Sequence, residues 1–134
     1  MNQLYVDSNI IVSLLTKDEP EQFKHISDML ESGKYQLMIT AGIILETCWI
    51  LKRVFEFSNP QVGHALLHLL QVENVEPEEE SIILTLNIYA RHENMDIADC
   101  FLSAKSKVNN IPVVTFERDF RKLGCEYYKP NQLK

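Results

Sequence analysis

Five short, apolar, β-prone runs punctuate the chain, at residues 4–6, 36–40, 72–75, 111–115 and 125–128, and helical stretches separate them. Strands that alternate with helices are joined by right-handed crossovers, which lay the strands parallel and cover the sheet on both faces. The pattern predicts an α/β fold: a three-layer α/β/α sandwich around a mostly parallel sheet of four or five strands. A length of 134 residues suits a single domain over 1–134 with one core, and a 46% hydrophobic content can fill it.

Charge and cysteine usage narrow the class. A net charge of -6 excludes a protein that coats nucleic acid by bulk electrostatics, but not an enzyme whose acidic site is offset by bound cations. Cys48, Cys100 and Cys125 are odd in number and form no CxxC, which predicts reduced thiols in a cytoplasmic protein rather than a disulfide framework or a zinc site. No basic start leads into an apolar stretch, so no signal peptide is expected, and no apolar run approaches the ~20 residues that span a bilayer. No membrane association is expected.

Along the chain, the run 4–6 (Leu4, Tyr5, Val6) reads as a buried strand, and an apolar helix follows from Ile10. Pro20 suits the first turn of a second helix, with Phe23, Ile26, Met29 and Leu30 as its buried stripe and Gly33 closing it. Residues 41–57 form a long apolar helix, and Asn59-Pro60 opens another to about residue 70. His64 and His68 stand at i, i+4, yet without the glutamate of an HExxH motif they read as surface or packing residues. Glu78, Glu79 and Glu80 read as the solvated first turn of the next helix. The strand at 111–115 reads as buried, and the run 125–128 as a last edge strand.

The acids carry the chemistry. Asp7 follows the first strand directly, where open parallel sheets place their ligands, although Asp, Ser and Asn at 7–9 also suit a helix cap. Glu46 lies among Ile43, Ile44, Leu45, Trp49 and Ile50; it either needs a partner or sits on a polar stripe with Arg53 beyond it. Asp96 and Asp99 stand on adjacent turns of one helix face, as a repelling pair that a cation relieves or as a cap with a first-turn acid. Glu117 and Asp119 come just past the strand at 111–115, in a site or in an ordinary polar loop. Right-handed crossovers bring all of these to one sheet edge. Carboxylates without a His or Cys cluster suit a hard cation, Mg²⁺ or Mn²⁺, which activates water and stabilises both oxygens in phosphodiester cleavage. The residues therefore point to a metal-dependent nuclease.

In that order along the chain, YVDSNIIVSLL, ILETCWIL, DIADCFLSA and VVTFERDF resemble the motifs of the PIN-domain ribonucleases, over residues 4–128. Within that family the chain resembles the small single-domain bacterial and archaeal proteins, many of which are VapC-type toxins of type II toxin–antitoxin pairs. The resemblance implies an endoribonuclease with a four-acid metal centre of Asp7, Glu46, Asp99 and Asp119. Asp96 falls at an often acidic position, Ser8 and Thr115 match hydroxyl positions beside the metal, and Glu117 stands where many members carry an extra aspartate. It further implies that Asp7, Asp99 and Asp119 hold one ion while Glu46 shares a ligand site or holds a second. RNA as substrate, a small antitoxin protein as partner and a homodimer are implied as well. Lys52, Arg53, Lys105, Arg118 and Arg121 are candidate phosphate contacts, each also readable as ordinary solvated surface.

Other readings compete. Phosphatases with an aspartate nucleophile after the first strand want a second aspartate two positions on, and here Asn9 occupies that place. A housekeeping RNA-processing nuclease and a non-catalytic metal- or RNA-binding module both fit the same acids.

Overall fold

A computed structural model describes residues 2–133. The chain runs β1 (Asn2–Tyr5), α1 (Ser8–Thr16), α2 (Pro20–Glu31), β2 (Tyr35–Ile39), α3 (Ala41–Arg53), α4 (Asn59–Leu69), β3 (Val75–Pro77), α5 (Ser81–Arg91), α6 (Ile97–Asn109), β4 (Val113–Val114), α7 (Phe120–Leu123) and β5 (Tyr127–Tyr128), with a 3₁₀ turn at Pro130–Gln132. This is an α/β sandwich in which every strand pairing is parallel. The five strands are hydrogen-bonded as three plus two, in the orders β1-β2-β3 and β4-β5. Asn2 to Tyr5 pair with Tyr35 to Met38, Leu37 to Ile39 with Val75 to Pro77, and Val113 and Val114 with Tyr127 and Tyr128.

Helix ends follow local chemistry. Pro20 opens α2, where a missing N–H is harmless, and Gly33 leaves it with φ +71°. The Thr40 hydroxyl accepts from the Ile43 N–H at 3.2 Å to cap α3, and Ser58 with Gln61 makes a reciprocal capping box on α4. Helix α4 packs on α5 through Gly63, where an added Cβ would come within 2.7 Å of the Ala90 Cβ. Val62 and Leu66 of α4, Leu86 of α5, Leu51 of α3 and Cys100 and Ala104 of α6 are fully buried in one core. Each such aliphatic side chain contributes about 1.5–3 kcal/mol over its exposed state, so helix packing rather than the short strands holds the fold.

Four expectations are corrected. β1 is not a buried strand: it pairs only with β2, stands at a sheet edge, and all four of its residues are exposed. The third strand begins at Val75 rather than at residue 72, because Asn74 adopts a left-handed φ of 71°, which no strand accommodates. Helix α3 ends at Arg53 rather than at residue 57, since the chain turns out of it at Glu56 with φ 58°. In the run 111–115 only Val113 and Val114 are paired, and Val114 is exposed. Ile111 is tied back to α6, its N–H to the Ser106 carbonyl and its carbonyl to the Ser106 hydroxyl, and Pro112 has no N–H for a ladder. The three cysteines are free and buried, and burial pushes the Cys48 and Cys100 thiols up to about 12. Neutral thiols of this kind are neither nucleophiles nor metal ligands.

Candidate active site

Past the carboxyl ends of β1 and β2, helices α1 and α3 meet through a hydrogen bond between Ser8 and Glu46. Asp7 leaves β1 with extended backbone and caps α1, its Oδ1 accepting from the Ile10 N–H at 3.1 Å. The cap reading of Asp7 is thus correct, and it occupies only one of the two carboxylate oxygens. Ser8, the first residue of α1, is buried and donates its hydroxyl to Oε1 of Glu46 on α3. Helix α3 turns Ile44, Cys48 and Leu51 inward and leaves Gly42, Glu46, Trp49 and Arg53 on its exposed side. Both expectations for Glu46 therefore hold: it has a hydrogen-bond partner, and it lies on the polar side.

A second group gathers at the start of α6. Asp96 caps this helix, accepting from the Ala98 N–H at 3.2 Å. Asp99, one turn in, is only partly exposed. Its carboxyl is held above the usual aspartate range, first by burial and then by the charges of Asp96, Glu117 and Asp119. The charges of Asp96, Glu117 and Asp119 therefore act on Asp99, which sets the start of α6 near the segment past β4. Thr115 turns this segment, its hydroxyl accepting from the Glu117 N–H at 2.9 Å. Asp119 precedes α7 and makes no capping bond with its side chain.

The basic residues divide. Lys105 is drawn away to Glu79 at 3.0 Å, the one ion pair among the described residues. Glu79 also accepts from the Ser81 hydroxyl, so it anchors the start of α5 instead of lying within its first turn. Lys52 donates to Oδ1 of Asn59 at 2.6 Å, whereas Arg53 places its guanidinium 5.9 Å from the Trp49 ring centroid. Arg118 and Arg121 are exposed, and so are His64 and His68, as surface residues should be. Asn59 is the positioning residue that sequence reading missed. Fully buried, it donates from Nδ2 to the carbonyls of His92 and Met95, at 2.6 and 2.8 Å, and so ties down the loop that delivers Asp96. Only its place in Ser58-Asn59-Pro60, legible as a helix start, hinted at a polar role.

Residues 4–124 match the family model described as PIN domain. The chain belongs to the PIN domain family. PIN domains are in general nucleases that depend on a divalent metal ion. No curated protein matches the chain. Among solved structures it is similar to VapBC2 from Rickettsia felis bound to a DNA fragment from their promoter, with 12% identity and a TM-score of 0.38 over 96% of this chain and 98% of that one. That likeness is too remote to carry an inference.

The donor chemistry fits a hard divalent ion. All candidate ligands are carboxylates or hydroxyls, and the repulsion around Asp99 is what a cation would relieve. The charges reach one another over a longer range than coordination: among the described residues, no three His, Cys, Asp or Glu side chains form a group close enough to hold an ion. Among these same residues, no helix is long and apolar enough to cross a membrane.

Proposed function

We propose that the chain is a Mg²⁺- or Mn²⁺-dependent endoribonuclease, acting as the toxin of a toxin–antitoxin pair. The observation that carries the nuclease reading is the opposed acidic group at the mouth of α6, with Asp99 raised by burial and by Asp96, Glu117 and Asp119. A metal-dependent phosphodiester hydrolase needs such a group to hold its cation, because the cation offsets the negative charge that builds up on the attacked phosphate. The toxin role rests on the likeness of the four sequence motifs to small single-domain PIN proteins, and with it come a small antitoxin protein and a homodimer as partners.

In this reading Asp7, Asp99 and Asp119 would hold the ion, with Asp96 beside them, their side chains closing on it from separations that by themselves form no coordination group among the described residues. When bound, the ion activates water and neutralises charge on the attacked phosphate and the leaving oxygen. Glu46 has one oxygen fixed by the Ser8 hydroxyl, which leaves the other to orient the attacking water. Thr115 and Glu117 keep the turn past β4 in the shape that presents Asp119. Arg53, on the exposed side of α3, contacts the substrate phosphates from one flank, and Arg118 and Arg121 do so from the α7 side.

Cleavage of labelled total RNA by the purified chain tests this, run with Mg²⁺, with Mn²⁺ and with EDTA beside an Asp7→Asn control. Metal-dependent cuts at discrete sites, absent from the control, are expected. A folded protein, free of antitoxin, that cuts nothing under any metal would instead be a binding module. Growth arrest on expression, relieved by co-expression of a neighbouring small gene, separates a toxin from a housekeeping processing enzyme.

A further inference from the structure

One large side chain beside the acids is left unused by this reading. Trp49 is the only tryptophan in the chain, and it is 58% exposed. An exposed aromatic is ordinary by itself, and Phe116 and Tyr5 are more exposed still, but this indole stands beside both a cavity and a cation. It lies one turn past Glu46 on the same exposed side of α3. A cavity of about 300 Å³ opens next to it, between Trp49, Lys52 and Arg53 of α3, Tyr89 of α5, and Met95, Asp96 and Ile97 at the start of α6. Two of its walls thus come from the helices that carry Glu46 and Asp99.

The chemistry of the cavity is selective. Lys52 is committed to Asn59, and the Arg53 guanidinium makes no ion pair among the described residues, so it is the cation on this rim open to an anion. Lys17 likewise lies 5.0 Å from the Phe23 ring centroid, but of the two cation–aromatic pairs among the described residues only that of Arg53 and Trp49 lines this cavity. The combination matches single-stranded nucleic acid, whose bases stack on aromatic rings while its phosphates are met by arginine. Asp96, across the cavity, repels phosphate and accepts hydrogen bonds, which orients a strand with its phosphate toward α3 and a base amino group toward α6. The volume is at the small end for ligand pockets, room for one nucleotide and not for a duplex.

We infer that Trp49 and Arg53 form a subsite for one unpaired nucleotide of single-stranded RNA, the base stacked on the indole and the adjoining phosphate held by the guanidinium. This rests on the nuclease reading and adds to it an anchoring point for the substrate, one helical turn from Glu46.

The single tryptophan supplies the assay. In EDTA and in the Asp7→Asn background, so that nothing is cut, an unstructured RNA ten-mer is titrated in while Trp49 emission is followed. The same RNA as a duplex serves as comparison. Quenching by the single strand and little by the duplex is expected. By anisotropy of a labelled ten-mer, Trp49→Ala should weaken binding roughly five- to hundredfold and Trp49→Phe much less, since a ring remains. Arg53→Ala should reduce the slope of log affinity against log salt by about 0.7, the value for one lost contact to a single strand. RNA that binds by anisotropy without disturbing Trp49, or that binds Trp49→Ala as well as the parent, would overturn the subsite. So would an emission shift that follows protein concentration alone, which would assign this face to a second copy. If metal-dependent cleavage persists while these binding results fail, only the subsite falls. A chain that neither binds nor cuts RNA loses the nuclease reading and the subsite with it.

Discussion

Glu79 and Asp99 lie in neighbouring regions of the molecule and in opposite electrostatic surroundings. Glu79, ahead of α5, accepts from the Ser81 hydroxyl and pairs with Lys105, and those bonds, the Ser81 one first, hold its carboxyl below the usual glutamate range. Asp99 sits on α6, the same helix that supplies Lys105, yet burial and three neighbouring acids push its carboxyl up. The helix therefore delivers its cation to an acid that fastens α5 and leaves the acids at its own N-terminus opposed. Carboxylates that serve packing are paired. Unrelieved repulsion in a folded chain lowers its stability, and it is the feature on which the proposed nuclease site rests.

The strongest way to break this contrast is Asp99→Asn. RNA cleavage should fall by at least about 100-fold, the upper end of what loss of a mere supporting group produces. In EDTA at neutral pH the same variant should melt at a higher temperature than the parent, and Mg²⁺ should no longer raise its melting point. A variant that cuts RNA normally would remove the functional half of the comparison.

Next in size is Asn59→Ala, which strips the buried link between α4 and the loop ahead of Asp96. Two carbonyls and the Lys52 ammonium lose their partner, so urea denaturation should show a loss of about 2–3 kcal/mol. An unchanged stability would mean that the acidic region is held by something other than this asparagine.

The contrast itself is read by carbon-detected titration of the carboxyl groups. Asp99 should titrate above 3.8 and Glu79 below 4.5, and Mg²⁺ should lower the first while leaving the second in place. The consequences for stability have opposite signs. The folded chain binds the Asp99 proton more tightly than the unfolded one, so this group withdraws stability as pH rises from 3.8 through its folded midpoint. The Glu79 contribution is fully present above 4.5 and is lost as pH falls through its lowered midpoint.

The smallest effect belongs to Lys105→Met. The pair is partly exposed and so contributes about 0.2–1 kcal/mol, visible as a slight fall in the urea midpoint. In the same variant Glu79 should titrate closer to 4.5, because one of its two partners is gone.

Much of the architecture was legible in the order of residues. Pro20, Gly33, Asp7 and Asp96 mark helix boundaries by chemistry that acts within a turn, and the structure places them there. The acids past β4 and at the start of α6 lie near enough for their charges to act on Asp99. The misreadings have a common form. A run of apolar residues at 4–6 looks the same whether its strand is central or at an edge, and β1 is at an edge. Asn74 and Glu56 take left-handed backbone that composition does not announce. Lys105 and Lys52 read as candidate phosphate contacts or ordinary surface until their acceptors, Glu79 ahead of α5 and Asn59 on α4, arrived from elsewhere in the chain.

By itself, then, the sequence determined the alternation of strand and helix, the helix caps and the supply of carboxylates, because hydrophobic period and capping act over a few neighbouring residues. The tertiary structure decided which groups meet: Ser8 with Glu46 across 38 positions, Asn59 with His92 across 33, and Lys105 with Glu79 across 26. It also decided that Asp99 remains among acids while Trp49 stays in solvent. Such pairings depend on how helices pack against one another, and no local pattern encodes the partner that packing will bring.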